Sequence, residues 1–533
     1  MFRSIFFALL VVVSFTQPTF SAQTSPNVVI IFADDMGFSD LGCYGGEIQT
    51  PNLDRLAKGG LRFSQFYNTG RCWPSRASLM TGLYPHQSGK AMSFGEKAPR
   101  GYSGIIPQHF RMVPEVLAAA GYRSYHVGKW HLNKRGGKPL NETWPLARGY
   151  QHSYFVVSQN NFFNPYLLYD DTTKITRPGA NGDYYITEAF TAKAVDYLKE
   201  HQTKSPDKPF FLYLAHTAPH FPLHALASDV ARYRGKYREG WDVHRRRRYE
   251  RLKKMGIVNC KFSPRDPDAK PWDSLSDEEQ DEWDSRMATY AAMIHCLDRG
   301  VGDVLAQIEA MNATENTLVM FLSDNGSSAE YLVRGDGHRE GAEPGAFDSY
   351  RCLEVGWSNA SNSPFRFHKM WMHEGGIATP LICNWPGVIK QSGAITDQVG
   401  HIIDLFPTIM DAAGVKYPKM YDGKKTPILP GKSLLPIFKG KERAGHEFLF
   451  WEHVGNKALR QGDWKLVAEH QGDWELYNLK TDRSELENLA DQKPKKLKSL
   501  VSTWQTYADS IGVVDWSSLP QSKSKPSADY RRK

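Results

Sequence analysis

The stretch "NVVIIFADD", Asn27 to Asp35, sets the fold class of this 533-residue chain. Its apolar, β-branched run from Asn27 to Ala33 is continuous rather than alternating, and it stops at two aspartates. A strand that is apolar at nearly every residue is typical of a parallel or mixed sheet covered on both faces. We therefore predict a central buried strand with Asp34 and Asp35 at its carboxyl end.

The same form recurs along the chain, with helical patterns between the apolar runs. The further strand candidates are "SYHVGKWH" (Ser124 to His131), "PFFLYLAH" (Pro209 to His216), "TLVMFLSDNG" (Thr317 to Gly326) and "PLICNWPG" (Pro380 to Gly387). The helical patterns include Asn52 to Lys58, Pro114 to Ala120, Thr187 to Glu200 and Trp283 to Met311. This alternation predicts an α/β fold in which a large mixed, mostly parallel sheet is sandwiched by helices.

The pattern changes from about Pro418. "NKALRQGDWKLVAE" and "DWELYNLKTD" alternate like antiparallel strands joined by Gly-Asp turns, and Lys495 to Ala508 is helical. We predict a catalytic α/β domain over residues 23–417 and a small C-terminal subdomain, an antiparallel sheet plus a helix, over residues 418–517. The basic stretch 518–533 has no periodicity and is predicted to be a flexible tail.

Residues 1–22 have the pattern of a cleaved secretory signal peptide: Arg3, an apolar run and then small residues. No later run reaches the roughly 18 apolar residues of a membrane span, so we expect a secreted or periplasmic protein without a membrane anchor.

Six cysteines are too few for a disulfide scaffold in a chain of this size. Cys43, Cys260 and Cys352 are left as either bridged or free.

The formal net charge of +8 is a small excess over many charges of both signs, and no nucleic-acid-binding motif accompanies it. The strongest basic run, "HRRRRYERLKK" (His244 to Lys254), lies in a predicted insertion at about residues 224–284. Two interpretations stay open for this run. It forms the solvated face of a helix, or it forms a basic rim that attracts polyanionic substrates.

Polar residues follow several of the predicted strands, where the carboxyl ends of an α/β sheet form its ligand-binding edge. Asp34 and Asp35 follow the first strand, and Asp324 and Asn325 follow another. Hard oxygen ligands converging in this way favour Ca²⁺ or Mg²⁺ over Zn²⁺. An ordinary turn or helix cap is the alternative for each pair alone.

Cys72 lies in "GRCWPSRASLMTG", Gly70 to Gly82, where Arg71 and Arg76 flank it. Pro74 suits the first position of a helix and Gly82 the position after it, so Cys72 is expected near a positive helix terminus that fits a tetrahedral oxyanion. Three functional interpretations remain: a thiolate nucleophile, a soft metal ligand, or the precursor of another group. The remaining, non-functional interpretation is that Cys72 is a buried structural thiol.

"CWPSRASLMTG" resembles the signature of the sulfatase family, in which the cysteine is oxidised to Cα-formylglycine. Further segments resemble that family's blocks in the same order along the chain. They are "FADDMGFSDLGCYG", "GKWHL", "TAPHFP", "SDNG", "HEGGIATPLI" and "WELYNLKTDRSELENLA". The resemblance, to the arylsulfatase-like branch, covers nearly the whole chain and implies an alkaline phosphatase-like fold.

The resemblance implies roles for individual residues. The calcium ligands would be Asp34, Asp35, Asp324, Asn325 and the oxidised Cys72. Arg76 and Lys129 resemble the residues that hold and polarise the formylglycine. His131 resembles the partner of its second hydroxyl, and His220 and Lys369 resemble the groups that bind the sulfate and protonate the leaving oxygen.

The family implies hydrolysis of sulfate esters, here on a carbohydrate by analogy, with aryl sulfates as artificial substrates and a formylglycine-generating enzyme as maturation partner. Two alternatives stay open: a phosphate or phosphonate monoester hydrolase of the same superfamily, and a non-catalytic protein that binds sulfated glycans.

The roles of two further histidines stay open. His216 and His224 are either near the site or structural. Four aromatic residues are expected either to stack on a sugar or to pack in the core: Trp357, Phe365, Phe367 and Trp371.

Overall fold

The structure is a computed structural model that describes residues 25–134, 141–158, 161–176, 178–179, 183–331 and 338–519. The predicted signal peptide lies outside these residues, as does the predicted tail beyond residue 519. Within the described ranges, no helix has both the length and the apolar composition that a bilayer crossing requires.

The described chain contains eighteen strands. In chain order they are β1 Asn27–Ala33, β2 Leu61–Phe63, β3 Phe66–Tyr67, β4 Arg123–Lys129, β5 His152–Val156, β6 Leu168–Asp170, β7 Thr173–Ile175, β8 Phe210–Ala215, β9 Thr317–Ser323, β10 Leu381–Asn384, β11 Ala394–Thr396, β12 Gly400–His401, β13 Met420–Tyr421, β14 Lys424–Lys425, β15 Leu449–His453, β16 Asn456–Gln461, β17 Trp464–Ala468 and β18 Glu475–Asn478. Ten of them form one sheet in the order β11-β2-β10-β9-β1-β8-β4-β5-β6-β7.

The centre of this sheet is parallel. β1 pairs in parallel with β8 on one side and with β9 on the other, and β4 continues the parallel set beyond β8. Antiparallel pairs lie toward both edges, at β9/β10 and at β5/β6. Val28 to Ala33 of β1 are fully buried. The prediction of a mixed, mostly parallel sheet around a two-sided buried strand is therefore confirmed.

Thirteen α-helices belong to the described chain. They are α1 Pro51–Lys58, α2 Cys72–Thr81, α3 Pro85–Ser88, α4 Val113–Leu117, α5 Ile186–Lys204, α6 Ala227–Val230, α7 Gly240–Lys254, α8 Asp277–Ala310, α9 Glu354–Ser361, α10 Glu374–Ile377, α11 Leu405–Ala413, α12 Leu435–Phe438 and α13 Pro494–Ile511. α8 begins six residues before the predicted Trp283, because Ser276 and Glu279 cap its acidic first turn reciprocally.

Helices cover both faces of the sheet, and alternate residues of β1 enter two separate cores. Val29 and Ile31 belong to the core that contains residues of α5 and α8. Val28 and Ile30 belong to the core that contains residues of α2, α4 and α11. This is the α/β sandwich that the apolar runs predict.

The C-terminal strands β15 to β18 form a four-stranded antiparallel sheet, and α13 packs on it through Leu500 and Trp504. Buried charges tie this sheet to the rest of the protein. Glu374, at the start of α10, accepts from Lys465 Nζ at 3.0 Å and from Arg483 Nε at 2.9 Å. Burial alone would raise the pKa of Glu374, but these cations, led by Lys465, lower it to about 2.

The basic run in α7 is divided between an exposed face, which includes Arg246 and Arg247, and a buried face. Arg245 and Arg248 are buried, whereas Arg246 is exposed over the ring of Phe262. Arg248 donates from Nη1 to Asp40 Oδ1 at 2.6 Å and from Nη2 to Glu47 Oε1 at 2.6 Å. The insertion therefore holds the loop that follows Asp34 and Asp35.

Lys90 is a buried cation of a different kind. It follows α3, is 1% exposed and donates from Nζ to the carbonyl of Asn133 at 3.0 Å. Among the described residues, no carboxylate forms an ion pair with it. Burial lowers the pKa of Lys90 from 10.5 to about 7.

Replacing Arg248 by Met should destabilise the protein strongly, because it leaves the buried Asp40 without its cation and leaves the partly buried Glu47 with only the weaker Arg251 contact. Removing one partner of a buried ion pair costs about 3 to 5 kcal/mol. The exposed Arg246→Met variant, in the same helix, should lose no more than about 1 kcal/mol. Denaturant unfolding of both variants measures the difference, and equal losses would contradict a structural role for Arg248.

Replacing Lys90 by Met should change how stability depends on pH. Because the Lys90 pKa is lower in the folded than in the unfolded chain, the unfolded state binds the extra proton between pH 7 and 10.5. The stability of the wild type should therefore rise over this window, relative to Lys90→Met, by up to about 1.4 kcal/mol per pH unit. Unfolding measured across this range tests the effect, with exposed Lys254→Met as the control that should follow the wild type.

Candidate active site

The carboxyl ends of the central strands bring the predicted acidic residues together. Asp34 and Asp35 directly follow β1, and Asp324 and Asn325 directly follow β9, its parallel neighbour. One ligand atom each from Asp34, Asp324 and Cys72 lie within 4.8 Å of one another. The same holds for Asp34, Asp35 and His220. Asp34 therefore belongs to both groups, one with Cys72 and Asp324 and the other with Asp35 and His220.

Cations are interleaved with these carboxylates. Lys129 Nζ, at the end of β4, donates to Asp34 Oδ2 at 2.6 Å, and Arg76 Nη2 donates to Asp324 Oδ2 at 2.9 Å. Burial opposes ionisation of Asp34, but Lys129 and the other neighbouring cations hold its pKa well below its usual range. Burial, followed by the charge of Asp34, raises the pKa of Asp324 well above its usual range. Arg76 and Lys129 therefore only partly offset the effects of burial and of the Asp34 charge on Asp324.

Gly128 allows Lys129 to reach the cluster. Its φ angle is +114°, and a Cβ at this position would lie 1.9 Å from the carbonyl oxygen of Ala215 on β8. No residue with a side chain fits so close to a neighbouring strand. The glycine lets the end of β4 turn its lysine toward Asp34.

Helix α2 presents Cys72 to the same cluster. The helix begins at Cys72 itself and not at Pro74, which differs from the prediction by two residues. Proline is accommodated because the first four N–H groups of a helix have no partner within it. Arg76 lies one turn after Cys72 and faces the same carboxylates, and Gly82 ends the helix with a φ of +69°. Cys72 is 3% exposed, and burial raises the pKa of its thiol.

Lys369 and His220 lie on the Asp35 side of the cluster. Lys369 Nζ donates to Asp35 Oδ2 at 3.0 Å and lies 3.3 Å from His220 Nε2. His220 Nδ1 contacts the carbonyl of Phe221 at 2.6 Å. Burial lowers the Lys369 pKa, but Asp35 and then Glu330 raise it well above its usual range. The ammonium is thus fixed beside an imidazole.

His131 lies beyond Lys129 with a φ of +54°, and its ring meets the edge of Trp73 at a centroid distance of 5.4 Å. Its Nδ1 is buried and has no hydrogen-bond partner. Burial, with Lys129 and Arg76 nearby, holds the pKa of His131 well below its usual range. The environment therefore favours the neutral imidazole over the protonated one.

Two residues at the site were not predicted from the sequence. Glu330 accepts from Lys369 Nζ at 2.8 Å, and its position six residues after Asp324, on the same loop, is a signal that could have indicated it. His453 lies at the end of β15 and contacts Arg71 Nη1 at 3.3 Å through Nε2. No local pattern predicts that contact, because 382 positions separate the two residues.

The described residues fit a hard divalent cation. Asp34 Oδ1 and Asn325 Oδ1 are buried oxygens that have no hydrogen-bond partner among the described residues. They lie next to the carboxylates of Asp35 and Asp324, and a buried polar atom of this kind is costly unless it has a ligand. The donor set is rich in oxygen, which suits Ca²⁺ or Mg²⁺.

The other candidates have structural contacts. His224 Nδ1 accepts from the backbone N–H of Phe162, and its Nε2 contacts the carbonyl of Ser349. These backbone contacts give His224 a structural role. His216 is buried beside Phe190 and approaches no group of the cluster in the described contacts. All six cysteines are buried, and within the described chain Cys43, Cys72, Cys260, Cys296 and Cys383 form no disulfide. The four aromatic residues offered for sugar stacking are buried side chains, as their core interpretation predicts: Trp357, Phe365, Phe367 and Trp371.

Comparisons with known proteins agree with this geometry. The sulfatase family profile matches residues 26–415, and the profile of the C-terminal region of N-sulphoglucosamine sulphohydrolase matches residues 365–506. An uncharacterized sulfatase of Schizosaccharomyces pombe is 32% identical over 92% of this chain and 94% of its own length. The arylsulfatase of Klebsiella aerogenes is 32% identical over 79% of this chain and 94% of its own.

Among solved structures, Ps i-CgsB in complex with k-i-k-neocarrahexaose matches with a TM-score of 0.67 and 26% identity, covering 91% of this chain and 93% of the other. The fold is that of the alkaline phosphatase-like sulfatases, as the resemblance implies. The sheet, the cluster at its carboxyl edge and the sequence relatives lead to one conclusion. The chain belongs to the sulfatase family and is a sulfuric ester hydrolase.

Proposed function

We propose that this sulfatase is secreted or periplasmic, hydrolyses sulfate esters of carbohydrates, and uses calcium and a formylglycine made from Cys72 by a maturation enzyme. One observation carries the proposal. Cys72 begins a ten-residue helix and lies among Asp34, Asp324 and their two buried cations, in a position that fits a tetrahedral oxyanion.

The surroundings of Cys72 argue against the thiol itself as nucleophile. Burial raises its pKa, and a thiolate is the reactive form of cysteine. The soft-ligand interpretation is equally poor, because the neighbours are carboxylates. Oxidised to an aldehyde and hydrated, the residue would supply one hydroxyl to attack sulfur and a second to reform the carbonyl. His131, whose buried Nδ1 has no hydrogen-bond partner among the described residues, is proposed to accept a proton from that second hydroxyl.

Calcium would be held by Asp34, Asp35, Asp324 and Asn325, with the oxidised Cys72 facing it. Such an ion would stabilise negative charge on the transferring group. The two unpartnered oxygens, Asp34 Oδ1 and Asn325 Oδ1, support this assignment. Arg76 and Lys129 orient Asp324 and Asp34, so that the carboxylates present a fixed set of oxygens.

Lys369 and His220 are proposed to bind the sulfate and to protonate the leaving oxygen. Their nitrogen atoms lie 3.3 Å apart, so one substrate oxygen can contact both. Glu330 and Asp35 accept hydrogen bonds from Lys369 and fix the direction of its ammonium.

A carbohydrate substrate is supported by Ps i-CgsB, whose structure was solved with a neocarrahexaose. The alternative of a phosphate or phosphonate monoester hydrolase makes a distinct prediction, because it would act faster on an aryl phosphate than on the matched aryl sulfate. The alternative of a non-catalytic glycan-binding protein predicts unmodified Cys72 in protein purified from its own host, which mass spectrometry of the Cys72 peptide detects.

Cys72→Ala should abolish sulfate release from protein that was matured with a formylglycine-generating system. Cys72→Ser supplies one hydroxyl where the hydrated aldehyde supplies two, so we expect at most one equivalent of alcohol released per enzyme. Assays on sulfated sugars and an aryl sulfate measure both effects. Cys296→Ala, a buried free cysteine in α8, is the control that should retain activity. Repeated turnovers by Cys72→Ser would contradict the proposed chemistry.

Removing calcium with a chelator should lower the melting temperature, and Ca²⁺ rather than Mg²⁺ should restore it. A ligand at about 100 times its Kd stabilises the folded state by about 2.7 kcal/mol. Asn325→Ala should lose most of this response because it removes an oxygen ligand. Asn316→Ala, a residue just before the opposite end of β9, should keep it. Identical responses of the two variants would place the ion elsewhere.

A further inference from the structure

Arg71, the residue before Cys72, is a cation that the proposed chemistry does not use. Its guanidinium lies 4.3 Å from the centroid of the Trp73 ring, and Nη1 contacts His453 Nε2 at 3.3 Å. Arg71 is partly exposed, and its Nε is buried without a hydrogen-bond partner. Among the described residues, no carboxylate forms an ion pair with it. Its positive charge is therefore uncompensated.

His453 cannot neutralise Arg71. Arginine has only donors, so the imidazole must accept at Nε2 and is the neutral tautomer with its proton on Nδ1. His453 is 1% exposed, and burial followed by the charge of Arg71 holds its pKa well below its usual range. The histidine thus orients the guanidinium and leaves its charge available.

The support beneath Arg71 is rigid. Trp73 donates from Nε1 to the carbonyl of Ala91, and its ring meets the edge of His453 at 5.8 Å. The hairpin that carries His453 is fixed in turn, because Asn456 Nδ2 donates to the carbonyl of Met370 at 2.9 Å. Met370 adjoins Lys369, so the C-terminal sheet and the leaving-group side of the site are joined directly.

Arg71 lies outside the group that surrounds the scissile sulfate. Arg76 and Lys129 contact the carboxylates beside Cys72, whereas the side-chain contacts of Arg71 with described residues are to an indole and an imidazole. Arg71 nevertheless adjoins Cys72 in the chain, and its partner His453 lies on the hairpin that Asn456 joins to Met370, next to Lys369. These contacts place Arg71 on the side of the site that is proposed to hold the alcohol portion of the ester.

We propose that Arg71, set by Trp73 and His453, forms a second anion subsite, and that the substrate is a sulfated sugar carrying another oxyanion besides the sulfate that is removed. A sulfate or a carboxylate on the same or the adjoining sugar has this chemistry. The planar guanidinium fork binds either of them through two parallel hydrogen bonds. This inference rests on the proposed function, since it names the substrate class of the same site.

Binding to Cys72→Ala, which lacks the attacking group, tests the subsite without turnover. The probes are galactose 2-, 4- and 6-sulfate, the corresponding disulfates, and a disaccharide of galactose 6-sulfate and a uronic acid. We expect the best doubly charged probe to bind at least about 10-fold more tightly than the best singly charged one. Calorimetry measures both affinities, and the disulfate and uronate arms separate the two sources of the second charge.

Arg71→Gln in the Cys72→Ala background should remove this preference, and Arg71→Lys should keep part of it because it retains a charge without the fork. His453→Phe should reduce the preference by removing the acceptor that orients Arg71, whereas His453→Gln should preserve more of it. Exposed Arg246→Gln is the control that should keep the preference unchanged. Melting curves confirm that each variant is folded.

Three results would overturn the inference. They are equal binding of singly and doubly charged probes to Cys72→Ala, a preference that survives Arg71→Gln, and the absence of measurable binding of any probe. Sulfate release by the matured wild type is scored separately. Release without a preference in binding retains the proposed function and rejects the subsite. A preference that depends on Arg71, without sulfate release, supports the subsite and rejects the proposed hydrolysis of sugar sulfates.

Discussion

Three buried carboxylates at one edge of the sheet are the constraint on which the rest of the site depends. Asp34, Asp35 and Asp324 are brought together by β1 and β9, and mutual repulsion in a dry environment would oppose their ionisation. Each carboxylate has its own cation: Lys129 for Asp34, Lys369 for Asp35 and Arg76 for Asp324. A divalent ion would complete the compensation, because Asp324 still has a raised pKa and Asp34 Oδ1 has no partner.

Segments distant in sequence hold this edge in place. Arg248 reaches from the insertion to Asp40, and Asp40 Oδ2 in turn accepts from the hydroxyl of Tyr290 on α8. The C-terminal sheet contributes through Lys465, which is bound to Glu374 close to the loop of Lys369. The insertion and the C-terminal sheet thus support the loops that carry Asp35 and Lys369, and the sheet also places His453 against Arg71 and Trp73, the two neighbours of Cys72 in the chain.

The sequence alone predicts what depends on local pattern. Apolar runs give β1, β4, β8, β9 and β10, and the residues after them are the ones that the structure brings together. Partnerships between distant residues are not predictable in this way. The run of arginines in α7 has the composition of a solvated face, yet Arg248 is buried because two acids from another loop meet it. His453 was not predicted for the same reason, since its contact with Arg71 exists only after folding, whereas Glu330 has a local signal in its position six residues after Asp324.

The distribution of charge also bears on the choice between sulfate and phosphate esters. Four cations (Arg71, Arg76, Lys129 and Lys369) accompany four carboxylates (Asp34, Asp35, Asp324 and Glu330), so the proposed calcium ion would leave two positive charges for the substrate. A phosphate monoester, with nearly two negative charges near neutral pH, matches that total but places both on the transferred group. Arg71 lies against Trp73 and His453, and it forms no ion pair with a carboxylate of the described cluster. The position of the fourth cation therefore favours a singly charged sulfate ester whose second charge lies elsewhere on the sugar.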